Sequence, residues 1–469
     1  MSHTNTRRDF VRLAAGAAAI AQSLPGQTGR PPGAIDVFVS AGEKRYSKEP
    51  PLQWQPAQGP AEGAILLDPA KTYQELLGFG ASLTDASCYM FNQLAPDARE
   101  QLFHELFHPS GMGLSACRIC IGSSDYATKA YSFDEGEPDP EMKRFSIEHD
   151  REYILPMLRL ARKVNPDLFL LASPWSPPGW MKANKSMLGG AMRQSSLAPY
   201  ALYFLKFLQA YAAEGVPVNA VTSQNEVDAE QDGRMPACVW PQEMEMWFIS
   251  RALGPLLARN DIATKIWLLD HNYNLWGRVL CQLEDRTVNQ YVDGVAWHGY
   301  AGREDAMTKV HDAYPAKHAY WTEGGPEYRE PGYQTNFSRW SGTFTGILRN
   351  WSRCIMAWNM ALDEQGRPNI GPFYCGGVVT IDSRTKAITR SGQYWALAHY
   401  SRAMRRGARR FDSLGDIAGL SHVAFANPDG GKVVVLTNPG AARTARLRLG
   451  DMMAEAALPA DSVTTLSWS

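Results

Sequence analysis

Two glutamates stand at the ends of apolar runs that are typical of buried strands. Glu226 closes residues 221–226, and Glu323 closes residues 319–323. Glycoside hydrolysis needs such a pair of carboxyl groups, because one must donate a proton to the leaving oxygen while the other attacks the anomeric carbon or activates water. The two glutamates therefore predict cleavage of a sugar bond, provided that the fold brings them together.

The neighbours of each glutamate suit a sugar site. Asn225 precedes Glu226, and an amide there can hydrogen-bond a sugar 2-hydroxyl, a contact that strengthens in the transition state. Gly324 and Gly325 follow Glu323 and allow a ligand to approach the backbone closely. An Asn-Glu pair by itself more often caps a helix. Its place at the end of the fourth strand favours the catalytic interpretation.

The elements that must position these side chains repeat along the chain from Tyr73 onward. Each unit is a short apolar run, a polar loop and an amphipathic helix, which indicates a parallel sheet covered on both faces. Eight such units predict a closed (β/α)₈ barrel, in which chemistry sits at the carboxyl ends of the strands. The eight predicted strands end near Thr84-Asp85, Ser123-Ser124-Asp125, Trp175, Asn225-Glu226, Asp270-His271-Asn272, Trp297-His298, Thr322-Glu323 and Trp358-Asn359.

A doubly wound open sheet is the structural alternative to the barrel. It normally carries a glycine-rich phosphate turn, and Gly78-Phe79-Gly80 lacks the third glycine and the helix start.

The flanks of the chain have antiparallel strand signals. Short β-branched stretches such as residues 433–437 are followed by turn residues. We predict one antiparallel β-sandwich formed by both chain ends, with residues 34–72 and 401–469 as its strands and residues 73–400 as the barrel.

Composition excludes several classes of function. The net charge of −1 gives no electrostatic reason to expect nucleic acid or an anionic membrane as a partner. Seven cysteines are too few for a disulfide scaffold, and Cys117 and Cys120 lie in an apolar run that favours buried strand residues over a metal site. We expect no cofactor and no metal ion, since the two acids perform both protonation and attack. The expected partner is a carbohydrate or glycolipid substrate.

The N-terminus is typical of an export signal. Arg7 and Arg8 precede the small apolar run of residues 13–21, which resembles a twin-arginine signal and is too short to span a bilayer. Residues 1–33 are therefore predicted to be a signal and linker, and the protein to be periplasmic or extracellular. No other segment approaches a membrane span.

The strand ends resemble glycoside hydrolase family 30, which contains glucosylceramidases, β-1,6-glucanases and related retaining β-glycosidases. The resemblance covers roughly residues 78–411 and is carried by motifs on seven of the eight strands. These motifs are Gly78-Phe79-Gly80-Ala81-Ser82-Leu83-Thr84-Asp85, Arg118 with Ser123-Ser124-Asp125, Ser173-Pro174-Trp175-Ser176-Pro177-Pro178-Gly179-Trp180-Met181-Lys182, Gln224-Asn225-Glu226, Trp297-His298-Gly299-Tyr300, Thr322-Glu323 and Trp358-Asn359-Met360-Ala361-Leu362-Asp363.

The resemblance implies a barrel with an attached β-sandwich and assigns roles to the site residues. Glu226 would be the acid/base and Glu323 the nucleophile. The residues that would bind substrate are Asp85, Trp175, Asn225, His298, Tyr300 and Trp358. Two positions depart from the family pattern, because Val227 replaces the usual proline after the acid/base and Thr322 replaces the usual serine before the nucleophile.

The expected mechanism is double displacement, with the two carboxyl groups about 5–5.5 Å apart. Glu226 would then need a raised pKa, which the ionised Glu323 nearby would supply. β-Glucosides, cleaved in the manner of a glucosylceramidase, are the expected substrates, and a β-1,6-glucan or other β-glycan is the alternative. A catalytically silent carbohydrate-binding barrel is the alternative from a different class, but a binder needs neither glutamate.

Overall fold

The computed structural model describes residues 33–59, 62–229 and 233–469. The predicted export signal lies outside the described residues, except for residue 33. The strands in chain order are β1 Ile35–Ala41, β2 Lys44–Leu52, β3 Gln55–Pro56, β4 Ala64–Glu75, β5 Gly78–Ala81, β6 Ala116–Cys120, β7 Phe169–Ser173, β8 Ala220–Thr222, β9 Lys265–Asn272, β10 Val292–His298, β11 His318–Glu323, β12 Ser352–Ala357, β13 Ala361–Leu362, β14 Val379–Ile381, β15 Ile388–Arg390, β16 Arg409–Leu414, β17 Ser421–Ala426, β18 Lys432–Asn438, β19 Arg443–Leu449, β20 Met452–Leu458 and β21 Ser462–Trp468.

Strands β5 to β12 form the barrel. They pair in parallel, in the order β5-β12-β11-β10-β9-β8-β7-β6, and an isolated parallel bridge between Ser82 and Arg118 links the first strand to the second. Each strand lies where the sequence predicted one, so the eight-unit barrel is confirmed.

Helices surround this sheet, and several of them are amphipathic. In the helix Ile154–Val164, Leu155, Leu158 and Ala161 are buried, whereas Arg162 and Lys163 occupy its last turn. The α-helices are α1 Asp85–Asn92, α2 Pro96–Phe107, α3 Glu148–Glu152, α4 Ile154–Val164, α5 Leu197–Ala213, α6 Gln242–Trp247, α7 Gly254–Arg259, α8 Trp276–Glu284, α9 Arg286–Asn289, α10 Asp305–Ala313, α11 Phe337–Arg349 and α12 Gly392–Ser401. A π-helical stretch, Phe248–Leu253, joins α6 to α7. None of the helices described in the structure is long and apolar enough to cross a membrane.

The inside of the barrel is packed with side chains below the site. Trp267 and Tyr320 stack with ring centroids 3.6 Å apart, and Leu171, Ala296 and Met356 belong to the same buried cluster. This packed layer gives the side chains at the strand ends a rigid floor.

The two ends of the chain build the sandwich together. Its ten strands follow the order β2-β1-β21-β18-β17-β16-β4-β19-β20-β3, and nearly all pairs are antiparallel. Ile35 and Ile65 from the N-terminal part and Val434 and Leu466 from the C-terminal part share one core. The predicted sandwich formed by both flanks is confirmed. Cys117 and Cys120 are free cysteines of β6, as the apolar run indicated.

Candidate active site

A cavity of about 610 Å³ opens at the carboxyl ends of the barrel strands. Glu226 and Glu323 both line it, together with a third carboxylate, Asp125. A larger opening of about 730 Å³ lies against the sandwich, and its described lining residues include none from a barrel strand. The cavity that holds the paired carboxylates is therefore the candidate site.

Glu323 at the end of β11 is held by two hydrogen-bond donors. The guanidinium of Arg118, which is fully buried, contacts Oε2 through Nη1. The Tyr300 hydroxyl donates to Oε1 over 3.0 Å. These contacts fix both oxygens of the carboxylate and place a positive charge beside it, as a nucleophilic carboxylate requires.

Glu226 occupies a left-handed backbone position just after β8. Its φ is +52°, and its backbone N–H donates to the carbonyl of Asp270 over 2.9 Å. A glutamate rarely adopts this conformation, and the local turn directs its side chain into the cavity rather than along the next helix.

Two imidazoles flank the carboxylate of Glu226. Its Oε1 lies 3.2 Å from Nδ1 of His298 and 3.5 Å from Nδ1 of His271. On its other side, His298 places Nε2 3.9 Å from Oε2 of Glu323. One imidazole thus contacts both glutamates through its opposite nitrogens, which brings the pair together across the cavity. The separation of about 5–5.5 Å stays a prediction.

The two histidines reverse the expected pKa shift of Glu226. Burial raises its pKa, but the adjacent imidazoles of His271 and His298 outweigh burial and lower it. Burial lowers the pKa of His271, but Asp228 and Glu226 raise it overall to about 9. The expectation of a raised pKa for Glu226 is therefore wrong for the free protein. The reason is that the two adjacent imidazoles favour the ionised form of the carboxylate.

Asp270 at the end of β9 contacts both Arg118 and His298. It is completely buried, and burial raises its pKa, but the charge of Arg118 and the hydrogen bond with His298 lower it overall. Asp270 and His271 were assigned no role from the sequence, although their place at a strand end was a usable signal. The side-chain partners of the Asp270 carboxylate are Arg118 Nη2 (2.7 Å), Ser173 Oγ (2.7 Å), Thr222 Oγ1 (2.7 Å), Thr322 Oγ1 (2.8 Å) and His298 Nε2 (3.0 Å).

The structure does not bring Asp85 to the cavity. Its carboxylate accepts from the backbone N–H of Thr128 (2.7 Å) and from the hydroxyl of Tyr153 (2.9 Å), and it contacts Nε2 of His149 over 2.6 Å. Helix α1 begins at Asp85 and carries this side chain to a buried site beside α3 and α4. The prediction that Asp85 binds substrate is wrong.

Asp125 takes the place in the cavity that Asp85 was expected to fill. It follows β6, its side chain lines the cavity, and its Oδ1 is buried without a hydrogen-bond partner. Burial raises its pKa, and the charges of Glu323 and Glu226 raise it further. A buried oxygen of this kind is available to a sugar hydroxyl.

The remaining predicted residues gather around the glutamates. Trp175 and Trp358 line the cavity and stack at 5.1 Å, with the guanidinium of Arg118 4.7 Å from the ring of Trp175. Asn225 accepts from Arg118 through Oδ1 over 2.6 Å, which turns its NH₂ group toward the cavity.

His298 is fully buried beneath the glutamates and is not among the lining residues, so it positions them rather than reaching into the cavity. Tyr300 does line the cavity.

The outer rim comes from loops that follow β11 and β12 and from α11. The sequence did not identify these residues, because loop length and composition do not reveal where a side chain points. They are Glu327, Glu330, Arg339, Trp340, Thr343, Phe373, Tyr374 and Cys375.

Comparison with known proteins agrees with this architecture. Residues 76–404 match the glycosyl hydrolase family 30 TIM-barrel domain, and residues 407–466 match the family 30 beta sandwich domain. The endo-1,6-beta-D-glucanase of Neurospora crassa is 33% identical over 390 residues, which are 79% of this chain and 80% of the relative. The lysosomal acid glucosylceramidase of Mus musculus is 29% identical over 80% of this chain and 77% of its own.

Solved structures match over nearly the whole chain. An endo-beta1,6-glucanase superposes with a TM-score of 0.85 at 29% identity, covering 94% of this chain and 100% of its own. SrfJ from Salmonella typhimurium superposes with a TM-score of 0.89 at 26% identity, covering 93% of this chain and 99% of its own.

Proposed function

The chain belongs to glycosyl hydrolase family 30, and from this premise we propose that it hydrolyses the β-glucosidic bonds of a β-1,6-glucan by double displacement. One observation carries the proposed mechanism. Glu226 and Glu323 line a single cavity and contact opposite nitrogens of His298.

In the first step, Glu323 attacks the anomeric carbon and the bond from that carbon to the leaving oxygen breaks. Glu226, protonated in the complex with substrate, gives its proton to the departing oxygen, so a glycosyl-enzyme ester and a free alcohol form. Arg118 and Tyr300 hold the attacking carboxylate in place.

In the second step, Glu226 removes a proton from water, and the water oxygen attacks the anomeric carbon. The ester bond to Glu323 breaks, the sugar leaves with its original anomeric configuration, and Glu226 carries the proton for the next turnover.

The sugar that is attacked is proposed to lie against Trp175 and Trp358. Asn225 offers its NH₂ group to the 2-hydroxyl, and Asp125 offers an unpartnered oxygen to a more distant hydroxyl. Flat indole faces suit the C–H faces of a glucosyl ring, and the polar groups fix its orientation.

The rim supports a polysaccharide as the leaving group. Glu330 and Arg339 form an ion pair at 2.9 Å, and Glu327 lies beside them, so the mouth presents charged hydrogen-bonding groups. Tyr374, which is 47% exposed, adds an aromatic face to the rim. Such a mouth favours the hydroxyls of a second glucosyl unit over the two hydrocarbon chains of a ceramide.

Glucosylceramide, the substrate class that the sequence favoured, is the second candidate. Its support is the likeness to the mouse lysosomal acid glucosylceramidase, together with the exposed Phe373 at the rim. We also propose that the protein is exported, on the strength of Arg7, Arg8 and the apolar run that follows them.

Hydrolysis of three substrates tests the proposal: an aryl β-glucoside, a linear β-1,6-glucan and glucosylceramide in detergent micelles. We expect turnover of the glucan at the highest kcat/KM, with a β-anomeric product in early proton NMR spectra. An α-anomeric first product would exclude double displacement. Preference for glucosylceramide would exclude the glucan assignment, and binding of the glucan without turnover of any of the three would favour a carbohydrate-binding barrel.

A further inference from the structure

A cluster beside the catalytic acid has the composition of a transition-metal site. Glu226, His271 and His298 each offer one ligand atom, and these three atoms all lie within 4.8 Å of one another. Two imidazoles and one carboxylate are a donor set that binds zinc and several other divalent metals.

We propose that Glu226, His271 and His298 bind a divalent transition-metal ion such as Zn²⁺, and that the bound ion inhibits the glycosidase by occupying its acid/base. The reaction itself needs no metal, so the site is an inhibitory one. The binding part of the proposal stands on the geometry alone, whereas the inhibition part rests on the proposed function.

The distances between the donor atoms suit a metal of this size. Tetrahedral zinc with bonds of about 2.0–2.1 Å places neighbouring ligand atoms about 3.3 Å apart. Oε1 of Glu226 lies 3.2 Å from one imidazole nitrogen and 3.5 Å from the other.

Each histidine also has a carboxylate on its other nitrogen. Nε2 of His271 lies 2.5 Å from Oδ1 of Asp228, and Nε2 of His298 lies 3.0 Å from Oδ1 of Asp270. Metal-binding histidines in proteins nearly always make this contact, because it fixes the ring and makes the ligating nitrogen more basic. Here both Nδ1 atoms are thereby directed toward Glu226.

One of the candidate ligand atoms has no hydrogen-bond partner. Nδ1 of His271 is buried and has no hydrogen bond, and the residue is only 7% exposed. It faces Glu226 at the wall of the cavity, and both residues line that cavity. An ion can therefore enter from the cavity and keep water on its open side, as three-ligand metal sites do.

Inhibition follows from the position of the ion. A metal on Oε1 of Glu226 occupies the oxygen that must carry the proton for the leaving group. The carboxylate is then unable to serve as an acid in the first step or as a base in the second.

A second histidine pair provides a matched control. His104 and His108 are one helical turn apart at the end of α2, and their rings stack at 4.3 Å. This surface pair can bind zinc weakly by itself, so H104N removes a competing signal without touching the cavity.

The test is calorimetric titration of the metal-free, full-length protein with ZnCl₂, alongside its inhibition of aryl β-glucoside hydrolysis. We expect wild type and H104N to bind one ion with the same affinity at the cavity site and to be inhibited over the same range. H271Q should abolish that binding event. D228N should weaken it by roughly 10–100-fold, the usual effect of losing the carboxylate behind a ligating histidine.

Each variant is compared with its own metal-free activity, and its melting temperature shows whether it is folded. Equal zinc affinity in folded H271Q and wild type would overturn the site, as would a wild-type binding event that is lost in H104N. Tight zinc binding without inhibition would overturn the inhibitory role. If the enzyme hydrolyses none of the glycosides, calorimetry still decides the metal site separately from the proposed function.

Discussion

The mouth of the barrel and its junction with the sandwich both bury polar side chains, but of different kinds. At the mouth, Arg118, Asp270 and Glu323 form ion pairs with no more than 7% of any side chain exposed. At the junction, both ring nitrogens of His399 meet hydroxyls at 2.8 Å, one from Ser40 and the other from Thr465.

Further hydroxyl groups form hydrogen bonds along the junction. The hydroxyl of Tyr400 lies 2.8 Å from those of Ser341 and Thr345, and Ser341 also meets Thr437 at 2.6 Å. These residues lie on α11, α12 and the sandwich strand β18. The described side chains of this network are neutral near pH 7, including the imidazole of His399, whose pKa burial lowers to about 3.

The difference shows what each region is for. Buried charges cost several kcal/mol each to desolvate, so a protein gains little stability from them. They supply a fixed electric field where charge develops during a reaction, which is useful only at the mouth. Neutral hydrogen bonds cost less to bury and join two domains without that penalty.

The largest expected effect is the loss of activity in E323Q. Glutamine keeps the size of the side chain but is unable to form the glycosyl ester, so kcat on an aryl β-glucoside should fall by more than about 10⁴-fold. The melting temperature should stay close to that of wild type. E226Q is the matched variant, and it should retain more activity on substrates whose leaving group needs no proton. Equal losses for both variants on such a substrate would contradict the assigned roles.

The second expected effect contrasts the two regions directly. R118M removes the buried guanidinium that pairs with both Asp270 and Glu323 and should lower the free energy of unfolding by about 3–5 kcal/mol. Y400F removes one neutral hydroxyl from the junction and should cost about 1–3 kcal/mol, because Ser341 and Thr345 lose a partner. Denaturant unfolding measures both. If Y400F proved the more costly variant, the contrast between the mouth and the junction would fail.

The third prediction separates two aspartates that the sequence does not distinguish. D125N should lower kcat/KM for β-glucosides by roughly 10–100-fold, about the value of a hydrogen bond to a charged group. D85N should leave kcat/KM nearly unchanged and lower stability instead, because Tyr153 and His149 lose a charged partner. Kinetics of the two variants side by side, together with their melting curves, check this assignment. The reverse pattern would indicate that Asp85, and not Asp125, contacts the substrate.

The smallest expected effect is a pH dependence at the junction. Burial, together with the charge of Arg402, lowers the pKa of His399 to about 3. The unfolded chain protonates His399 below about pH 6.5, whereas the folded chain does so only near pH 3. The free energy of unfolding should therefore fall as the pH is lowered between these two values. The slope from this residue is at most about 1.4 kcal/mol per pH unit. H399Q should lose that part of the slope in unfolding experiments at pH 7, 6 and 5, and an unchanged slope would show that His399 is protonated in the fold.

Much of the fold could be predicted, because each unit carries its own local signal. Apolar runs and amphipathic helices alternate, and the polar residue that ends each run marks the edge of the sheet. Glu226 and Glu323 were identified because both end such runs. Trp175, Asn225 and Trp358 were identified through their motifs, and all three line the cavity.

Asp85 and Asp125 show where this reasoning stops. Both follow a barrel strand and both belong to a recognisable motif. Thr84 accepts a hydrogen bond from the N–H of Ser87 and so starts α1 at once, which turns Asp85 away, whereas the loop after β6 keeps Asp125 over the cavity. Which of the two aspartates lines the cavity depends on the backbone conformation at the end of each strand. A sequence pattern does not encode that conformation.

By itself the sequence determined the barrel, the sandwich shared by both chain ends and the two strand-end glutamates that line one cavity, because periodicity and strand-end position are local properties. Only the tertiary structure determined the direction in which the pKa of Glu226 is shifted, because the imidazoles that lower it lie on β9 and β10. It also decided which aspartate lines the cavity and which loops form the rim. Electrostatic interactions act between side chains that meet in space, so their effect exists only once the strands have closed into a barrel.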